Sequence, residues 1–129
     1  MEEGKIKILL VDDEPDLVQM VTVRLKAAGY EVFTSYDGQD ALEQVKRVKP
    51  DLIILDLMLP KMDGYKVCRL LKFDERTRNI PILIFTARAQ VEDVTLATEC
   101  GADGYLTKPF EAKVLLGKMQ ELLGAQKGL

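Results

Sequence analysis

Short apolar runs alternate with segments of helical periodicity along this chain. The runs, rich in branched apolar residues, predict five strands, at 6–11, Glu31–Ser35, 51–56, 81–85 and Gly104–Thr107. Apolar residues at helical spacing predict five helices, over about 15–28, 41–48, 65–71, 91–100 and 111–123, and Asp37-Gly38 is predicted to form the turn before the second. Such alternation is typical of an α/β fold, a doubly wound parallel sheet with helices on both faces. Five strands favour the flavodoxin-like order 2-1-3-4-5.

Proline, glycine and aspartate residues mark the ends of several predicted helices. Pro15 suits the first turn of the first helix, Asp13 before it suits the N-cap, and Gly29 suits the C-cap. Asp63-Gly64 indicates a turn, to which we give no catalytic role. The composition does not change along the chain, so we expect a single domain over 1–129 with its core at 5–123. Residues 124–129 are expected to be a frayed end or the start of a linker.

The overall composition excludes several classes of function. The 129 residues, 47% hydrophobic and 30% charged, suit one domain with a real core. A net charge of −3 provides no basic surface, so we expect no direct binding to nucleic acid or membranes. The chain has no apolar run near the roughly 20 residues of a membrane span and no signal-peptide layout, which predicts a cytoplasmic location. Its two cysteines lack CxxC spacing and any histidine, which favours reduced core thiols over a zinc site.

Polar residues follow four of the predicted strands. Asp12 and Asp13 follow the first strand, Asp56 the third, Thr86 the fourth and Lys108 the fifth. Parallel strands end at one edge of the sheet, so these side chains converge there. Two carboxylates about 4 Å apart repel each other by about 4 kcal/mol at an effective dielectric constant near 20. A raised carboxyl pKa or a bound cation would relieve this repulsion, and Mg²⁺ suits a site of oxygen ligands.

A carboxylate beside a metal ion, a lysine and a hydroxyl can accept a phosphoryl group. Asp56 is the predicted nucleophile, which would form an aspartyl phosphate, and it needs no base because it is already ionised at neutral pH. Lys108 and Mg²⁺ would balance the charge on the phosphoryl oxygens. The hydroxyl of Thr86 and the backbone N–H of Ala87 would donate hydrogen bonds to the same oxygens.

Four motifs in this order resemble the receiver domain of bacterial two-component response regulators. They read VDDEP after the first strand, LDLMLPKMDG from the third, FTA at the end of the fourth and LTKPF at the end of the fifth. The resemblance covers the chain from about residue 5 to residue 123. It implies a phosphorylation-activated signalling switch that is no conventional enzyme, although it catalyses its own phosphorylation and dephosphorylation at an aspartate.

The resemblance implies a role for each matching residue. Asp56 would be the phosphoacceptor and Lys108 would pair with the phosphoryl group. Asp13 and Asp56 would bind Mg²⁺ directly, Met58 would add its backbone carbonyl, and Asp12 would act mainly through water. No other cofactor is implied. The Lys108-Pro109 peptide bond would be cis.

The resemblance also implies a switch and a set of partners. When Thr86 moves to bond the phosphoryl group, the ring of Tyr105 would turn inward and remodel the face formed by the fourth helix, fifth strand and fifth helix. Met58 and Arg88 occupy the positions that tune the lifetime of the aspartyl phosphate in this family. The implied partners are a sensor histidine kinase or phosphotransfer protein, a downstream effector protein or domain, and a second copy in a phosphorylation-linked homodimer.

Other interpretations of the same residues give different functions. A flavodoxin-type cofactor binder would have a hydroxyl- and glycine-rich loop where this chain has Asp12 and Asp13. An aspartate-nucleophile phosphatase would have a second acid at Met58 to protonate its leaving group. A degenerate receiver acting as a binding scaffold would lack part of the set that is complete here. Taken alone, Asp13 could be only a helix cap, and Tyr105 only a packing residue. The motifs identify neither the cognate kinase nor the output, nor do they separate a stand-alone receiver from a domain of a longer regulator.

Overall fold

Five parallel strands form one sheet in the order β2-β1-β3-β4-β5. The structure is a computed structural model that describes residues 4–87 and 99–126. The strands are β1 (Lys7–Val11), β2 (Glu31–Ser35), β3 (Leu52–Leu55), β4 (Ile82–Thr86) and β5 (Gly104–Thr107). The predicted α/β class, strand number and strand order are therefore confirmed.

Four helices lie within the described residues. They are α1 (Pro15–Ala27), α2 (Gly38–Val48), α3 (Gly64–Phe73) and α4 (Ala112–Gln126). The helix predicted over 91–100 falls largely outside the described residues, as does Arg88. Helix α4 continues past the predicted helix end at residue 123, to Gln126, and residues 127–129 of the expected tail lie outside the described residues. No positive φ stops the helix at Gly124, and no proline follows it.

The start of α1 also differs from the prediction. Its N-cap is Glu14, and that side chain makes no capping hydrogen bond. Asp13 as the N-cap was therefore wrong. The carboxylate of Asp12 instead accepts a hydrogen bond from the backbone N–H of Glu14 at 2.9 Å. Pro15 occupies the first turn as predicted, because proline there gives up an N–H that has no helical partner.

The sheet separates two apolar cores. One core joins β1, β3 and β4 to α2 and α3, and the other joins the same strands to α1 and α4. All four residues of β3 are buried, as expected of a central strand whose two faces are both covered by helices. Cys68 and Cys100 are buried free thiols, in agreement with the prediction for them. Within the part of the chain that the structure describes, no helix is long and apolar enough to cross a membrane.

The strand register brings the carboxyl ends of the strands level. Val11 of β1 is paired with Leu55 of β3, so Asp12 and Asp56 follow at the same height. Thr86 of β4 is paired with Thr107 of β5, which places Lys108 directly beyond that pair. The carboxyl edge of the sheet therefore carries two carboxylates after the neighbouring strands β1 and β3, and a lysine after β5, which is separated from β3 by β4.

Candidate functional site

Three aspartates meet at the carboxyl edge of the sheet. One carboxylate oxygen from each of Asp12, Asp13 and Asp56 lies within 4.8 Å of the other two. Asp12 and Asp56 are buried, with 0% and 4% of their surface exposed, whereas Asp13 faces solvent. This is the acidic cluster expected from the positions of the three residues after β1 and β3.

Backbone hydrogen bonds fix the two buried aspartates. The N–H of Asp56 donates to the carbonyl of Val11 at 3.0 Å, and the N–H of Asp12 donates to the carbonyl of Ser35 at 3.1 Å. Each aspartate thus extends the pattern of its strand by one residue, so the sheet sets its position. The Asp56 carboxylate also accepts a hydrogen bond from the N–H of Met58 at 3.3 Å.

Lys108 supplies the positive charge at this edge. Its Nζ lies 2.7 Å from Asp12 Oδ2 and 3.4 Å from Asp56 Oδ2. Only 12% of its side chain is exposed. Nζ also lies 4.8 Å from the centre of the Phe85 ring, a distance at which the ring face attracts a cation. The peptide bond from Lys108 to Pro109 is cis, as the family resemblance implied.

Burial and charge shift the pKa values of the central pair. Burial raises the pKa of Asp56; Lys108 opposes this increase and the charge of Asp12 adds to it. For Lys108, burial alone would lower the pKa, but the hydrogen bond and charge of Asp12, followed by the charge of Asp56, outweigh that effect and raise it. The lysine therefore stays charged, and the carboxylate of Asp56 is the group whose ionised form burial penalises.

The structure places the predicted hydroxyl and switch residues on β4 and β5. Thr86 is fully buried at the end of β4, and its backbone carbonyl accepts a hydrogen bond from the N–H of Lys108 at 2.8 Å. Ala87 follows it and is exposed. Tyr105 of β5 is partly buried and packs against the core that contains α2 and α3. Side chains alternate along a strand, so Thr86 and Tyr105 belong to the same side of the sheet as Ile84.

Gly64 lets the start of α3 approach the site closely. A Cβ atom at this position would lie 2.2 Å from the backbone oxygen of Asp56 and 2.7 Å from the Cα of Leu57. No side chain fits in that space, so Asp63-Gly64 does more than form a turn. Asp63 caps α3 by accepting a hydrogen bond from the N–H of Lys66 at 3.0 Å.

The acidic cluster fits a small divalent cation. Ligand oxygens of Mg²⁺ stand about 2.0–2.1 Å from the ion, so oxygens on one ion lie within about 4.2 Å of one another. The spread of up to 4.8 Å among the three carboxylates is close to that requirement. Receiver domains bind Mg²⁺ in an acidic pocket of this kind. The donor set consists only of oxygen, as a hard cation prefers.

Two contacts of the site were not predicted. Lys108 Nζ lies 3.3 Å from a carboxylate oxygen of Glu14, a residue outside the predicted site. The position of Glu14 directly after Asp12-Asp13 was the available signal. The Phe85 ring under Lys108 could not be foreseen, because nothing in an apolar strand marks which residue lies beneath a side chain from another strand.

Comparison with known proteins gives a consistent result. Residues 8–120 match the sequence profile of the response regulator receiver domain. The chain is similar to the DNA-binding dual master transcriptional regulator RpaA of Synechocystis, with 44% identity over 117 residues, 91% of this chain and 48% of that protein. It is 42% identical to the DNA-binding response regulator MtrA of Mycolicibacterium smegmatis, over 95% of this chain and 53% of that protein. The chain thus spans about half the length of these relatives.

The solved structures agree with the sequence matches. The chemotaxis response regulator CheY4 of Vibrio cholerae superposes with a TM-score of 0.87 at 34% sequence identity. The match covers 92% of this chain and 99% of that one. The sequence matches and the structural matches therefore both lead to response regulators.

Proposed function

This chain belongs to the family of response regulator receiver domains, and from that premise we propose that Asp56 is its phosphoacceptor. Receiver domains are the phosphorylation-activated switches of two-component systems. The observation that carries the proposal is the position of Lys108 Nζ between Asp12 and Asp56, at 2.7 Å and 3.4 Å. Asp56 directly follows β3, the central strand of the sheet.

The residues of the site support a transfer to the Asp56 carboxylate. One of its oxygens forms the new O–P bond as the N–P bond of a phosphohistidine on the partner kinase breaks. Lys108 carries a positive charge that pairs with the phosphoryl oxygens once they arrive. Thr86 and the N–H of Ala87 donate hydrogen bonds to those oxygens. The product is an aspartyl phosphate, which water later hydrolyses at the same site.

Mg²⁺ is the cofactor in this proposal. Asp13 and Asp56 would hold the ion directly, Met58 would contribute its backbone carbonyl, and Asp12 would act mainly through water. When bound, the ion supplies positive charge that balances the carboxylates and the phosphoryl group. The exposure of Asp13 beside two buried aspartates supports this assignment, because an ion that exchanges with solvent needs an open side.

Thr86 and Tyr105 form the switch in this proposal. The hydroxyl of Thr86 moves toward the phosphoryl group and frees space on its side of the sheet, and the ring of Tyr105 turns into that space. Their shared side of the sheet supports the coupling. The surface around β5 and α4 then changes shape, and a partner reads that change.

The partners follow from the role of the family. Response regulators interact with kinases and effectors. For this chain we infer a sensor histidine kinase or phosphotransfer protein as donor and a downstream effector protein or domain as receiver of the signal. We place the reaction in the cytoplasm. We assign no nucleic-acid contact to these residues, because the net charge of −3 repels phosphate backbones.

The first experiment measures the intact mass of the protein after incubation with Mg²⁺ and acetyl phosphate. We expect a gain of one phosphoryl group that disappears in Asp56→Asn and in EDTA. Asp51→Asn is the matched control: Asp51 precedes the same strand at its opposite end, where its carboxylate accepts a hydrogen bond from the N–H of Lys7 at 2.8 Å. An unchanged gain in Asp56→Asn, or an equal loss in Asp51→Asn, would contradict the proposal.

A second readout addresses a phosphoryl group that is lost quickly. Beryllofluoride, which imitates the bound group, should change the tyrosine fluorescence of the protein in the presence of Mg²⁺. The change should be absent in Asp56→Asn and strongly reduced in Tyr105→Phe. If neither phosphorylation nor a beryllofluoride response occurs, the chain is not a phosphorylation switch.

A further inference from the structure

The first turn of α2 packs against the loop that connects β3 to α3. A Cβ atom at Gly38 would lie 2.2 Å from the backbone oxygen of Met62, 2.9 Å from its Cβ and 2.9 Å from Cγ2 of Val67. The N–H of Gly38 also donates a 3.5 Å hydrogen bond to the carbonyl of Pro60. The φ angle of Gly38 is not in the left-handed region, so the glycine is needed for space and not for its backbone conformation.

The loop that Gly38 touches has little freedom to move aside. It spans residues 57–63 and begins directly after Asp56. The N–H of Met62 bonds the carbonyl of Pro60 at 2.7 Å, and the N–H of Gly64 bonds the carbonyl of Leu57 at 3.0 Å. Lys61 has a left-handed φ of 67°, which residues other than glycine rarely adopt. A displacement of Met62 therefore also displaces the neighbouring residues of the loop.

The same turn of α2 is connected to the other half of the acidic cluster. The hydroxyl of Ser35, fully buried at the end of β2, donates a 2.6 Å hydrogen bond to the carboxylate of Asp40. The backbone carbonyl of Ser35 accepts the hydrogen bond from the N–H of Asp12. The start of α2 thus contacts the loop after Asp56 directly and is connected to Asp12 through Ser35, although no α2 side chain belongs to the acidic cluster.

We propose that Gly38 is a positioning residue for the metal site: by letting α2 approach Met62, it sets the loop that presents the Met58 carbonyl. This inference rests on the proposed function, which makes that carbonyl a ligand of Mg²⁺. With alanine at position 38, the distance to the Met62 oxygen must grow from 2.2 Å to at least 3.0 Å, a shift of about 0.8 Å. Mg²⁺ demands ligands at about 2.0–2.1 Å in near-octahedral geometry, so a shift of this order, passed from Met62 along the loop to Met58, would displace one ligand.

The test is the affinity of the full chain for Mg²⁺, measured by titration calorimetry without a phosphoryl donor. We expect Gly38→Ala to bind Mg²⁺ at least about tenfold more weakly, the size of effect typical when a residue that orients a ligand is lost. Gly117→Ala is the matched control, because a Cβ at that exposed position in α4 would meet nothing within 4 Å. Its Mg²⁺ affinity should equal that of the unmodified chain.

A compensating change separates positioning from a general loss of structure. Glycine at position 62 removes the Met62 Cβ and lets the carbonyl turn away, so Gly38→Ala/Met62→Gly should bind Mg²⁺ more tightly than Gly38→Ala alone. If Gly38→Ala does not fold, the double variant is compared with Met62→Gly alone. We then expect binding at least about threefold weaker in the double variant, because the backbone oxygen of residue 62 still lies in the path of the added methyl.

The outcomes separate this inference from the proposed function. If the unmodified chain binds no Mg²⁺, or if Asp13→Asn binds it equally well, the metal assignment fails. If the unmodified chain binds Mg²⁺ and a folded Gly38→Ala binds it within twofold as tightly, the positioning role of Gly38 is overturned. A double variant no tighter than the single one, or equal to Met62→Gly in the second comparison, overturns it as well.

Discussion

Lys108 places a positive charge between two buried carboxylates, and removing that charge tests the electrostatics of the site. In Lys108→Met the apolar stem remains over the Phe85 ring while the charge is lost. At an effective dielectric constant of about 20, attraction over 2.7 Å to Asp12 amounts to about 6 kcal/mol, and over 3.4 Å to Asp56 to about 5 kcal/mol. The free energy of unfolding falls by less than these values, because a carboxylate without a positive partner can take up a proton and become neutral.

Protonation sets the upper limit on the loss. Holding one aspartate neutral at pH 7, about three units above its usual pKa of about 3.9, costs about 4 kcal/mol. The desolvation that Lys108 no longer suffers offsets part of this cost. We therefore expect Lys108→Met to lower the free energy of unfolding by about 3 kcal/mol at pH 7 without Mg²⁺. Glu14 adds little, since 64% of its side chain is exposed.

The assay is urea unfolding followed by circular dichroism in EDTA. The loss should shrink as the pH falls from 7 toward 4, because the folded variant binds more protons than its unfolded chain and so gains stability on acidification. Lys118→Met is the control: Lys118 Nζ lies 3.9 Å from Glu121 on the surface of α4, and its loss should change stability by at most about 0.5 kcal/mol. A loss below about 1 kcal/mol in Lys108→Met, or one independent of pH, would mean that Lys108 does not stabilise the buried carboxylates.

Three further substitutions test single features of the structure by urea unfolding. Asp56→Asn should raise the midpoint of urea unfolding at pH 7 without Mg²⁺, because asparagine cannot ionise. Burial raises the pKa of Asp56, so the stabilising contribution of its carboxyl group is present below the unfolded pKa of about 3.9 and is lost as the pH rises through the folded pKa. The difference should therefore vanish near pH 3, and a lower midpoint at pH 7 would contradict the pKa direction. Thr77→Val should lose about 1 kcal/mol, since the hydroxyl donates a 2.6 Å hydrogen bond to the Leu71 carbonyl at the end of α3; no loss would mean that this bond is not formed in solution. Thr22→Val should be neutral or stabilising, because among the described residues Thr22 Oγ1 is buried without a hydrogen-bond partner; a loss above about 1 kcal/mol would show that it has one.

Much of the fold and the outline of the site follow from local patterns. The apolar runs set the strands, and β3 matches its predicted span to within one residue at each end because four consecutive buried residues leave little choice. The aspartates and Lys108 were predicted to meet because parallel strands share one carboxyl edge. The start of α1 was misassigned because propensity favours aspartate as an N-cap, whereas the N-cap position falls on Glu14 and its N–H is bonded by the Asp12 carboxylate.

Local sequence patterns were enough to predict the order of elements, the parallel sheet and the set of residues at its edge, because hydrophobic periodicity and turn residues act over a few positions. The burial of Asp12 beside an exposed Asp13, the close approach of Lys108 to Asp12 and the lack of room for a side chain at Gly38 appear only in the folded chain. These features depend on distances between segments that are far apart in the chain. Packing fixes such distances to within an ångström, and the identity of a single residue does not indicate which residues will contact it from other segments.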